Sequence, residues 1–239
     1  MSGRASRVIR FELVPLGEFP CDANNDGIVD ASDTQLNALF AANDALEDVN
    51  LLIAKLIESN ALVVIFDPRG WSGTYVKAVM DVFPAVALQP ECQDMLGGEE
   101  AQIGCPYLIP PESLNYNSCA TTGIHGVEYG LAGTPMASVP ANVLLTPPLF
   151  GLEGALLFYE SRLQGVIDET GQIPDARWCG RLDMASLSAQ LGELCTDSEE
   201  ELCSALLSVV SPTACEGKCS VTLRLATTPT GEVVKEGVK

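Results

Sequence analysis

The sequence predicts an α+β fold, mainly antiparallel β-sheet in a sandwich or barrel-like form. A loop–helix unit precedes the sheet, and a disulfide-stapled helical hairpin follows it. Three observations predict this. Within residues 151–168, Leu157, Tyr159, Ser161, Leu163, Gly165 and Ile167 alternate with Phe158, Glu160, Arg162, Gln164 and Val166, the period of a half-buried strand. Within 33–59, Leu36, Leu39 and Phe40, then Val49, Leu52, Ile53, Leu56 and Ile57, recur three and four apart, the spacing of an amphipathic helix. Cys195, Cys203, Cys215 and Cys219 cluster around a second helical pattern.

Residues 1–20 read as an extended lead-in, with a strand at Val8–Val14. Residues 21–60 hold an acidic loop and then helix, interrupted at Asn43-Asp44, which caps a second helix. Ala61–Phe66 is wholly apolar and rich in β-branched residues, as a buried strand is. Asp67-Pro68-Arg69-Gly70 turns the chain into Thr74–Val82, where Val76, Ala78, Met80 and Val82 share one face. Residues 84–123, with three cysteines and several prolines, read as a long loop that disulfides would staple. Val127–Leu131 and Ala141–Leu145 are short strands.

After the 151–168 strand, Asp168-Glu169-Thr170-Gly171 leads into a return strand, Gln172–Arg181. Pro174 marks that partner as an edge or bulged strand. A β-rich domain thus spans 61–182. Residues 183–226 form the helical hairpin packed on it. Asp183 caps a helix through Met184, Leu187, Leu191 and Leu194, and Ser198–Glu201 is a capping box for the next, through Leu202, Leu206 and Val210. Ser211-Pro212 ends that helix, Val221–Leu225 is a last strand, and 227–239 reads as a loose tail.

The chain has 239 residues, 47% of them hydrophobic, enough for a buried core. Its formal net charge of −19 repels phosphate backbones and favours divalent cations, so nucleic acid is a poor partner. No segment is apolar enough to span a membrane. The nine cysteines contain no CxxC pair and His125 is the one histidine, so thiolate zinc is disfavoured and disulfides in an oxidising compartment are the better reading. The alternative is a cytosolic chain with free thiols. Nine is odd, which leaves one cysteine free or paired outside the chain. Residues 1–10 carry Arg4, Arg7 and Arg10 with no apolar stretch of signal-peptide length, so a secreted chain would here be a mature or partial one.

The strongest local motif is Asp22–Asp33. Oxygen-bearing side chains stand at loop positions 1, 3, 5, 9 and 12, as Asp22, Asn24, Asp26, Asp30 and Asp33. Gly27 occupies position 6, where the turn is sharpest, and Ile28 at position 7 offers a backbone carbonyl. Val29 at position 8 is expected to anchor the loop to the core. Six oxygens at this spacing suit calcium, a hard cation that takes six to eight.

The segment resembles EF-hand calcium loops and, more closely, those of dockerin modules, over twelve residues or about twenty-five with the helix. The resemblance implies that Asp22, Asp26 and Asp33 ligate through carboxylates, Asn24 through its amide oxygen, Ile28 through its carbonyl, and Asp30 directly or through water. Position 12 is Asp where most EF-hands carry Glu, and a dockerin repeats its loop whereas this chain has one copy. The layout, with Cys21-Asp22-Ala23-Asn24 ahead of a helix and a β-domain, also resembles a group of uncharacterised bacterial secreted proteins with an N-terminal EF-hand/dockerin-like calcium loop.

No catalytic set stands out. There is no GxSxG elbow, and His125 sits between glycines as an ordinary turn residue would. Among the acidic residues Glu128 and Glu160 are the first to test for glycosidase chemistry, against the plainer reading of a solvated strand face. The acidic runs 91–100 and 197–201 suit solvated surface. Trp71 and Trp178 suit core or rim packing better than sugar stacking. The sequence reading is therefore a calcium-binding extracellular or cell-surface domain with a structural or binding role toward a protein or glycan. The alternative is an extracellular hydrolase of polysaccharide or peptide, and a third reading is a dockerin-like partner of a cohesin-type protein.

Overall fold

Short segments rich in β-branched and aromatic residues pair into two sheets in the computed structural model. It describes residues 5–15, 17–18, 21–69, 77–88, 105–114, 123–128, 135–138, 140–145, 155–168, 172–195, 201–230 and 233–235. The large sheet contains β1 (Ser6–Leu13), β2 (Val64–Arg69), β3 (Lys77–Pro84), β6 (Gly123–Glu128), β7 (Pro135–Ala137), β8 (Ala141–Leu145), β9 (Leu156–Val166), β10 (Ala176–Asp183) and β11 (Lys218–Pro229). The small one contains β4 (Val86–Ala87), β5 (Tyr107–Ile109) and β12 (Val233–Lys235).

The large sheet runs β10-β11-β1-β2-β3-β6-β7-β9, and β9 pairs again with β10, so it is nearly a barrel with every pairing antiparallel. β8 extends the row begun by β7, meeting the first half of β9 while β7 meets the second. The ring is thinnest at two joints. Among the described residues, β6 and β7 meet at Glu128 and Ala137, and β1 and β2 meet at Ser6–Phe66 and Arg7–Ile65. Past Arg7 the two strands part, and α2 (Leu46–Glu58) packs along β1. The Asn50 amide there accepts from the Leu13 N–H at 2.8 Å and donates to its carbonyl at 3.2 Å, in place of the missing neighbour strand.

Trp178 on β10 lies at the centre of the interior. Its ring sits 5.0–5.7 Å from those of Phe11, Phe66 and Phe158, and its indole N–H donates to the Ser161 hydroxyl. The core reading of this tryptophan holds; Trp71 lies outside the described residues. On the outer face of β2 and β3, Val63, Ile65 and Phe83 pack against Tyr107 and Ile109 of the small sheet. β2 is thus apolar on both faces, which is why Ala61–Phe66 shows no alternation. Arg7 is buried at this seam, its guanidinium donating to the Tyr107 hydroxyl (2.8 Å) and the Ile57 carbonyl (2.5 Å).

β1 and β10 both run antiparallel to β11, so both end at the same end of the barrel. The β1–β2 connection there carries the acidic loop, α1 (Gln35–Ala42) and α2, and the β10–β11 connection carries α3 (Met184–Leu194) and α4 (Glu201–Val209). Asp183 caps α3 as expected, accepting from the Ser186 amide at 2.8 Å. The Ser198–Glu201 box is not wholly within the described residues. The helices bury Leu36, Phe40, Val49, Leu206 and Val209 in the same cluster as the barrel interior.

Several expectations need correction. The 156–168 strand does not keep one alternation. Glu160, at φ +51°, is an extra residue opposite Gly180, so Phe158 faces inward before it and Ser161 and Leu163 after it. One inserted residue exchanges the faces of everything beyond it. Pro174 precedes β10 and breaks no ladder bond, so β10 is central, paired on both sides. Residues 84–123 include β4, β5 and the start of β6, and His125 lies in that strand rather than in a turn. The segment 227–239 continues β11 to Pro229 and adds β12, which pairs in parallel with β5 and sets Lys235 3.0 Å from Asp67.

Candidate metal site at the acidic loop

The loop Asp22–Asp33 leaves the end of β1 and is tied at its head. Cys21 is bonded to Cys179 of β10, closing a separation of 158 residues, and Cys21, Ala23 and Cys179 form a small buried cluster. Asp22 is nearly buried, and Arg162 of β9 reaches it, with Nη1 3.7 Å from Oδ2 and Nη2 donating to the Asn25 side-chain carbonyl. At the tail, a 3-10 turn over Ala31–Thr34 leads into α1.

Inside the loop each acidic side chain folds back onto backbone amides. Asp22 accepts from the Asp26 and Gly27 amides, both at 3.1 Å; Asn24 accepts from the Asp26 amide at 3.1 Å; Asp26 accepts from the Ile28 amide at 2.8 Å. Asp30 accepts from the Ser32 amide at 2.7 Å, and the Ser32 hydroxyl and amide hold its carboxyl below the usual range. Asp33 is fully buried and accepts from Ala23 (2.6 Å), Asn24 (3.1 Å) and Asp30 (2.8 Å). It thereby joins the two ends of the loop. Gly27, at φ +87°, makes the left-handed turn expected of position 6.

The expected ligands therefore lie in one closed turn, with Asp22 and Asp33 inside and Asp26, Ile28 and Asp30 exposed. Among the described residues, no three His, Cys, Asp or Glu side chains converge closely enough to hold a metal ion as they stand. The donor chemistry fits calcium, being oxygen throughout. Val29 is a corrected expectation: it is half exposed and anchors nothing, because the disulfide, Ala23 and Asp33 hold the loop instead.

Contacts invisible in the local sequence seat the unit. Thr222 of β11 donates through its hydroxyl to the Asp33 carbonyl at 3.3 Å. Asn37 of α1, fully buried, donates to the carbonyls of Val14 (3.1 Å) and Thr222 (3.0 Å) and accepts from the Thr222 amide (3.3 Å). Gln35 accepts from the Ser220 amide at 3.3 Å. No residue pattern near Arg162, Asn37 or Thr222 signals these roles, since all these partners but Val14 lie over a hundred positions away.

The other candidates are more dispersed. Glu160 is ion-paired with Arg181 at 2.6 Å. The side chains of Glu128 and His125, and the runs 91–100 and 197–200, lie outside what is described. Cys195–Cys203 and Cys215–Cys219 are disulfides and Cys105 is also disulfide-bonded; Cys92 and Cys119 lie outside the described residues. These bonds are compatible with an extracellular setting. Among the described residues, no helix is long and apolar enough to cross a membrane. No protein family, no curated protein and no solved structure matches this chain.

Proposed function

We propose that this chain is a calcium-stabilised extracellular or cell-surface domain with a structural or binding role toward a protein or glycan, its loop–helix and its disulfide-stapled α3–α4 hairpin both seated on the barrel. The observation that carries the reading is the hydrogen-bonded closure of Asp22–Asp33, with Gly27 left-handed at the sixth position. Four aspartates lie within twelve residues, and among the described residues Arg162 pairs with only one of them, which leaves three negative charges with backbone amides but no cation beside them. A divalent cation relieves that repulsion. Each carboxylate oxygen that accepts one amide keeps a second lone pair for a metal. Asp22, Asn24, Asp26, Asp30 and Asp33, with the Ile28 carbonyl, would hold the ion, at an affinity on the order of 10⁻⁵–10⁻³ M, as extracellular modules do. At that affinity, millimolar calcium makes the ion a structural fixture rather than a signal.

Thermal melting in millimolar calcium and in chelator tests the proposal. The expected result is a rise in Tm with calcium; superimposable melts would overturn it. The hydrolase reading has no comparable support, because Glu160 is occupied by Arg181.

A further inference from the structure

Beneath the helices at the end of the barrel lies a cavity of about 150 Å³. Its walls come from Phe158 and Trp178 on the barrel side and from Leu52, Leu56, Leu187 and Leu191 on the helices. Protein interiors are close-packed and hold few voids larger than a water molecule. A space of about this size with aliphatic and aromatic walls stays dry and admits a benzene-sized guest. Among the described lining residues, Gln190 of α3 is the one polar side chain. It is 3% exposed, and among the described residues neither its Nε2 nor its Oε1 has a hydrogen-bond partner. Its stem lines the cavity and its amide is buried in the wall behind. A buried amide left unpaired is costly, and its donor and acceptor together match a group that both gives and takes a hydrogen bond.

We infer that this cavity binds one compact apolar molecule, a single ring or short branched chain, carrying one hydroxyl or carboxyl group that pairs with Gln190. The way in lies between α2 and α3. Leu52, Ile53 and Leu56 on one side and Leu187 and Leu191 on the other are only partly buried, and among the described residues the two helices do not pack closely on each other. Three torsions in the Gln190 side chain let its amide follow such a guest. The inference is independent of calcium.

The test uses toluene and benzyl alcohol, which share a ring and differ by a hydroxyl. Binding is read by Tm and by Trp178 emission, with Trp71→Phe removing the other indole. The intact chain is expected to bind benzyl alcohol at least as tightly as toluene, despite the cost of dehydrating the hydroxyl. Gln190→Leu, similar in size, is expected to reverse the order and favour toluene by about tenfold, the worth of one hydrogen bond to a buried group. Leu187→Phe, which narrows the cavity, should weaken both. If neither compound at millimolar concentration moves Tm or emission in either protein, the binding site is refuted. If the order of preference is the same in both, the role of Gln190 is refuted. Repeating the titrations in calcium and in chelator separates either failure from a failure of the loop reading.

Discussion

Cys179 and Arg162 stand opposite each other across β10 and β9, and they hold two consecutive residues at the head of the acidic loop, Cys21 just before it and Asp22 at its first position. Cys179 is bonded to Cys21, and Arg162 is ion-paired with Asp22. The head of the loop is thus fixed to one cross-strand pair of the barrel wall. Cutting the Cys21–Cys179 bond with Cys21→Ser, Cys179→Ser is expected to cost about 4–5 kcal/mol, because it frees a loop of 158 residues in the unfolded chain. Denaturant titration of the double variant, beside the intact protein with and without reductant, measures it. A loss below 1 kcal/mol would show that the barrel holds the loop without the bond.

Asp26 and Asp33 are expected to separate metal binding from folding. Asp26 is exposed and accepts from one backbone amide, Ile28, and from the Asn24 side chain, so Asp26→Ala should change the melt in chelator little while removing most of the rise in calcium. That rise is about 2.7 kcal/mol at a hundredfold excess over Kd, or roughly 5–10 °C for a chain of this size. Asp33→Ala leaves the amides of Ala23, Asn24 and Asp30 without their acceptor. It should cost roughly 2–4 kcal/mol even in chelator. Paired melts of the two variants decide this, and equal losses in chelator would contradict it.

Asn37→Leu should destabilise by about 2–4 kcal/mol. The substitution keeps the number and branching of side-chain heavy atoms, but it orphans the Thr222 amide and removes the Asn37 bonds to the Val14 and Thr222 carbonyls. Urea unfolding reads the change, and faster amide exchange at Thr222 would localise it.

Two glycines should respond oppositely to alanine. A Cβ on Gly180 would lie 2.7 Å from the Tyr159 carbonyl oxygen and 3.0 Å from the Ser161 Cα, both backbone atoms at the β9 bulge. Gly180→Ala is therefore expected to cost about 1–3 kcal/mol. Gly192, in α3, has open space at the same position, so Gly192→Ala should gain roughly 0.5–1 kcal/mol from helix propensity. Melting both variants checks the pair.

Asp175 gives the fold a measurable acid dependence. Partial burial raises its carboxyl, but hydrogen bonds from Arg224 and Arg177 outweigh this and hold it below the ordinary value of 3.8. A depressed carboxylate contributes stability above its unfolded pKa and loses it as pH falls through the folded one. The difference in stability between the intact chain and Asp175→Asn should thus be full above about pH 4–5 and vanish at lower pH. The carboxylate is half exposed, so the difference should be small and shrink further in salt. A pH series of melts for both proteins at two salt concentrations would show it, and a difference that grew on acidification would contradict the assignment.

The sequence by itself determined most of the local structure. Ala141–Leu145 and the two helices of 33–59 lie near where their residue patterns put them, because burial on one or both faces selects the residues, whereas the strand expected at Ala61–Phe66 begins at Val64 and runs on through Asp67–Arg69, expected as a turn. The donor spacing of Asp22–Asp33 was equally legible, since its turns form between neighbours. Only the tertiary structure decided which face of β9 turns inward, because a single inserted residue at Glu160 leaves no mark in composition. It also decided that β1 and β11 pair to complete the near-barrel, that Arg162 and Cys179 receive the loop, and that Gln190 ends in the wall of an apolar cavity. Each of these depends on residues brought together across long stretches of chain, and pair distances of that kind are set by how the whole core packs, which no short window of sequence encodes.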